Sequence, residues 1–111
     1  MIINQKLSNY FVHETIFENF TYNKQNSVII IKLKYNEWQK EEYENKIEGI
    51  SLKFKNVSNE KLNNVLLRLN DYILDIDIHK NSVMVIFDND EYDHISFDAT
   101  ELTIVENCWL S

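Results

Sequence analysis

A chain of 111 residues is the length of one ordinary domain, enough to close a core without help from a metal or a disulfide. With 44% apolar and 13% aromatic residues it has too much to bury to stay disordered, and a single cysteine, Cys108, excludes an internal bridge. A net charge of −7 argues against nucleic acid and anionic lipid as partners. The longest apolar run, Val28 to Ile31, is too short to cross a bilayer, and the first residues lack the apolar stretch of a signal peptide, so the expected location is the cytoplasm.

Proline is absent and Gly49 is the one glycine, so turns fall to asparagine and aspartate, which tolerate left-handed backbone. Between those turns, segments of two-residue periodicity predict strands at 13–22, 28–35, 47–57, 72–79, 83–87, 94–97 and 102–105. In 28–35, Ile29, Ile31, Leu33 and Tyr35 point inward and Lys32 and Lys34 outward. Residues 36–46, with Trp38, Glu41, Glu42, Tyr43 and Glu44, have weak helical character or form an extended loop. In 47–57, Ile50, Leu52 and Phe54 go inward and Lys53 and Lys55 outward, so four lysines share one outer surface. Leu62, Val65, Leu66 and Leu69 have the spacing of a short amphipathic helix, with Ser58 as its N-cap. In 72–79 the set Tyr72, Leu74, Ile76 and Ile78 offers that helix an apolar face, leaving Ile73, Asp75, Asp77 and His79 outward. The expected fold is α+β, mainly β: a single domain over 1–111, with a curved antiparallel sheet of about six or seven strands and one short helix packed against it.

Charge is unevenly distributed along these elements. All seven aspartates lie between Asp71 and Asp98, so residues 71–111 hold ten acids against one base, Lys80, a net of −9, while residues 1–70 sum to +2. Such a split bears on partners rather than on fold. Aspartate is unusual inside a strand, and Asp75 and Asp77 have two explanations: pairing with Lys32, Lys34, Lys53 or Lys55 across a sheet, or display to a partner. Asp88, Asp90, Glu91 and Asp93 belong to a predicted hairpin loop with no cation nearby in sequence, and Tyr92 sits among them.

Catalysis is not expected. One glycine rules out the phosphate-cradling loop, the dinucleotide fingerprint and the nucleophile elbow. His13, His79 and His94 fall in different strands, and the many carboxylates make no acid–base pair specific. The string from Asp88 begins like a calcium loop, but its sixth position is Asp93 and its twelfth Ala99, where glycine and glutamate are required. A looser divalent site from Asp75, Asp77, His79, His94 and Asp98 needs their two strands to pair. No cofactor is implied and no metal ligand is assigned.

Binding a basic protein uses what the chain does hold. An acidic face speeds association with a cationic partner, and aromatic anchors give the contact its lifetime. The candidate contact residues are Asp75, Asp77, Asp88, Asp90, Glu91, Tyr92, Asp93, Trp38 and Tyr43; Trp109, with Leu110, is read as capping the core.

The order of elements adds to this reading. Tyr10-Phe11-Val12-His13-Glu14-Thr15, then a strand, an asparagine turn, the run Val28 to Leu33, Leu52-Lys53-Phe54-Lys55-Asn56-Val57 and a final acidic hairpin resemble a group of small β-rich bacterial domains. Members of that group often start with an aromatic-His-Asp-Ser motif, in which Glu14 and Thr15 replace the Asp and Ser here, and some of them are toxin-immunity proteins. The resemblance implies an immunity protein that occludes a cognate toxin domain, a basic nuclease above all, and a hydrogen bond from the His13–Thr15 motif that ties the first strand to the sheet. The alternatives are a divalent-ion or small-ligand binding domain and a structural subunit of a larger assembly. Oligomeric state is not legible.

Overall fold

The computed structural model describes residues 5–89 and 91–108; Asp90, Trp109 and Leu110, named above, lie outside them. Three strands, β1 (Ile16–Asn23), β2 (Val28–Lys34) and β3 (Ile47–Lys55), form an antiparallel meander. A later strand, β8 (Glu101–Cys108), returns to the free side of β3 and completes a four-stranded sheet. The second sheet contains β4 (Ser58–Lys61), β5 (Ile73–His79), β6 (Ser82–Phe87) and β7 (His94–Asp98), in the spatial order β4-β7-β6-β5. The inward sets predicted for β2 and β3 are all buried, and with Ile73, Val83, Val85, Phe87, Ile95 and Phe97 they make one core between the sheets. Edge-to-face pairs Phe17–Phe87 and Phe54–Phe97, each 5.0 Å between centroids, bridge it.

The fold is therefore mainly β, but the single curved sheet of six or seven strands is not what forms. One short helix cannot cover the apolar face of seven strands, so the sheet is divided and its halves cover each other. The chain leaves the first sheet at Asn56, in left-handed backbone (φ 57°), and returns at Ala99-Thr100. Val57 N–H donates to Ser27 O (2.9 Å), Thr100 N–H to Lys55 O (3.1 Å) and Asn56 Nδ2 to Thr100 Oγ1 (2.6 Å), which fixes this corner. Asparagine does much of the turning, since Asn45, Asn56, Asn59, Asn64 and Asn70 all have positive φ. Gly49 has a different role: a Cβ there would collide with the Leu33 carbonyl oxygen on β2.

Three local expectations are corrected. Ser58 is not a helix N-cap but starts β4, an edge strand of polar Ser-Asn-Glu-Lys that pairs with β7 and carries no apolar signal. The amphipathic helix of 62–69 is only a 3₁₀ turn at Val65–Arg68, because Asn64 in left-handed backbone breaks any earlier start. With three residues per turn the apolar stripe falls at i and i+3, so Leu62, Val65 and Leu69 pack on the core while Leu66 turns out to 64% exposure. In β5 an irregularity between Ile73 and Asp75 shifts the register against β6 and reverses the face of the first residues. Ile73, predicted outward, is fully buried, and Tyr72, predicted inward, is 51% exposed.

Candidate functional site

The segment before β1 holds the sheets together at one edge. Thr15 is fully buried and its hydroxyl donates to Val12 O at 2.6 Å. Glu14, in left-handed backbone (φ 67°), donates its N–H to Ile73 O, and Ile73 N–H donates to Thr15 O, both at 2.8 Å. His13 Nδ1 lies 2.8 Å from Leu74 O; a carbonyl only accepts, so Nδ1 carries the proton. The motif thus ties the chain just ahead of β1 to β5, across the sheets rather than within one.

A short helix, α1 (Glu37–Glu42), packs beside this segment. Asn36 and Gln39 form a reciprocal capping box, which resolves the ambiguity of residues 36–46 in favour of helix. Gln39 is fully buried, and its Nε2 donates to His13 O at 2.8 Å, fastening α1 to the motif. Trp38, one residue earlier, points out and is 46% exposed, with its ring 5.1 Å from that of Phe11. Tyr43 turns the other way: its ring stacks on Tyr35 at 5.2 Å and its hydroxyl donates to Asn9 O at 3.3 Å. Burial, more than the neighbouring Tyr43 hydroxyl, pushes the Tyr35 phenol well above its ordinary pKa. Among the described residues the Tyr35 hydroxyl has no hydrogen-bond partner of good geometry.

Between α1 and the start of β5 lies an open groove of about 650 Å³, lined by Glu14, Asn36, Glu37, Trp38, Tyr72 and Asp88. Two half-exposed aromatic rings line it; its charges are three carboxylates, with no lysine or arginine among the described residues of the lining. Glu37 has Lys40 at 3.4 Å and Glu14 has His13 Nε2 at 3.6 Å, both outside the lining. Asp88 forms no ion pair among the described residues.

The rest of the acidic loop faces elsewhere. Glu91, Tyr92 and Asp93 border a second cleft, of about 350 Å³, with Lys61, Arg68 and His94. Arg68 Nη1 stands 3.3 Å from both Asp71 Oδ2 and Asp93 Oδ2, so a cation distant in sequence neutralises part of the loop. Asn89 braces it: its side-chain oxygen accepts from Glu91 N–H (3.2 Å) and Asp93 N–H (3.0 Å). That bracing holds Tyr92 in left-handed backbone (φ 51°) with its ring 60% exposed.

Asp75 and Asp77 do not meet the lysines. Their partners across β6 are Ile86 and Met84, while Lys32, Lys34, Lys53 and Lys55 line the outer face of the other sheet, where Lys32 pairs with Glu18 and Lys55 with Glu101. β5 is an edge strand, and outward aspartates next to a register shift keep such an edge from pairing with another chain. The looser metal set also fails to assemble, because β6 lies between β5 and β7 and separates Asp75, Asp77 and His79 from His94 and Asp98 by two strand spacings, about 10 Å. No group of three or more metal-ligating side chains occurs among the described residues, and no described helix is long and apolar enough to cross a membrane.

Of the residues the sequence singled out, the structure brings Trp38 and Asp88 to one groove and sets Tyr43 behind it. Tyr72, Glu14 and Glu37 were missed as contact residues. Only the Asn70-Asp71 turn, which places Tyr72 just ahead of β5, hints at its exposure. Compared with protein-family models, with curated proteins and with solved structures, the chain matches none.

Proposed function

We propose that this protein is an acidic protein-binding inhibitor of the immunity type, which neutralises a basic toxin domain by covering its surface. One observation carries the reading: Trp38 and Tyr72, both about half exposed, line a groove whose charged lining groups are all carboxylates. Exposed aromatics in a concave acidic setting supply the two things a tight inhibitor needs, anchors and charge complementarity. Asp75 and Asp77 extend the acidic surface along β5, and Glu91 and Tyr92 offer a separate contact at the second cleft. Asp93 contributes less, since Arg68 already holds it. The resemblance of the Tyr10–Thr15 motif to immunity-type domains points the same way.

Co-expression with any basic toxin domain that its gene neighbourhood encodes tests this function. Protection of growth and a complex that weakens with salt are expected, and Trp38→Ala with Asp88→Lys should reduce affinity by about 2 kcal/mol, roughly thirtyfold. If no such domain is neutralised or bound, the reading fails. A structural-subunit role is less well supported, because the β5 edge is blunted against strand pairing.

A further inference from the structure

We infer that the groove between Trp38 and Tyr72 is the seat for one arginine side chain presented by the protein partner. The inference rests on the inhibitor reading and names the chemistry that the site selects. A planar guanidinium stacks on aromatic faces while its edge donates to carboxylates, and it sheds water more readily than a lysine ammonium. The groove offers both halves of that recognition: two aromatic walls, and Glu14, Glu37 and Asp88 around them with no competing lysine or arginine among the described residues of the lining. Of the three carboxylates, Glu37 has Lys40 at 3.4 Å and Glu14 has the His13 imidazole at 3.6 Å, while Asp88 forms no ion pair among the described residues and is left as the principal acceptor. Nor can the walls readily collapse. Gln39 and the His13–Thr15 bonds hold the α1 side, and the Glu14–Ile73 and Asp88–Tyr72 backbone bonds (2.8 and 3.0 Å) hold the β5 side. The second cleft has no comparable vacancy for a cation, since Arg68 and Lys61 belong to its own lining.

The test uses the whole chain and a small probe, N-acetyl-arginine methylamide, read on the indole N–H resonances of the two tryptophans, with Trp38→Phe assigning the Trp38 signal. A saturable shift of Trp38 is expected at about 1–10 mM probe. The uncharged citrulline analogue should bind about tenfold more weakly, the lysine analogue more weakly than arginine, and Asp88→Asn should weaken arginine binding about threefold or more. No saturable shift, or an equal response to citrulline or lysine, overturns the assignment. Neutralisation of the toxin does not use this probe. Protection retained with no arginine response overturns the seat alone, and an arginine response without protection overturns the inhibitor reading alone.

Discussion

Two concavities flank the acidic loop, and they differ in what their acids face. In the cleft beside the 3₁₀ turn, Asp93 and Asp71 share Arg68, so the charge is settled within the molecule. In the groove beside α1, Asp88 has no ion pair among the described residues and stands with two exposed aromatic rings. Acidity in sequence is thus a poor guide to acidity available for binding. What separates Asp88 from Asp93, five residues on, is the arrival of a cation from another element, and only the fold decides where that cation goes.

The comparison is broken most severely by removing Gln39. Gln39→Ala leaves the part-buried His13 O without its donor and removes the side-chain half of the α1 capping box, a loss of roughly 2 kcal/mol. Hydrogen exchange should quicken in α1 and residues 10–15 but not around Arg68. Uniform acceleration through both regions would show that the groove has no framework of its own.

Behind the groove wall, the Tyr35 phenol provides a pH-dependent probe. Its folded pKa is raised by burial, so its contribution is fully present below the ordinary tyrosine pKa of about 10 and is lost as pH rises above it, by up to about 1.4 kcal/mol per pH unit. Tyr35→Phe should leave stability at neutral pH nearly unchanged, since the hydroxyl has no well-formed partner, and should flatten the alkaline loss. Equal alkaline slopes in urea titrations of the two proteins would place the loss elsewhere. Tyr10, raised by burial and by its 3.0 Å bond to Glu106, supplies a smaller slope of the same sign that the variant retains.

Much of the fold was legible because burial enforces alternation: every inward residue predicted in β2 and β3 is buried. What was illegible has a shared physical cause, the absence of a side-chain signal. β4 is polar throughout, and the register shift in β5 changes face without changing composition. The division into two sheets depends on how much apolar face must be covered, which no local window reveals. For the site, exposed Trp38 and Asp88 were anticipated, whereas Tyr72 was assigned to the core by an alternation that the register shift interrupts. The lysine–aspartate pairing failed for a topological reason, since the two sets lie in different sheets.

The contrast between the concavities is sharpened by removing the cation that defines one of them. Arg68→Met should cost roughly 0.5–1 kcal/mol, a modest loss because Asp71 and Asp93 are both more than a third exposed and water screens much of the attraction. The sign of the salt effect is more telling than the size. With Arg68 present, added salt weakens a favourable interaction; without it, salt screens repulsion between the two aspartates, so part of the lost stability should return at high ionic strength. The same change exposes Asp93 and adds one net negative charge, and association with a basic partner should become faster without a longer-lived complex, because the anchors Trp38 and Tyr72 are untouched. A lower dissociation rate in Arg68→Met would instead assign the durable contact to the second cleft, and the two concavities would exchange roles.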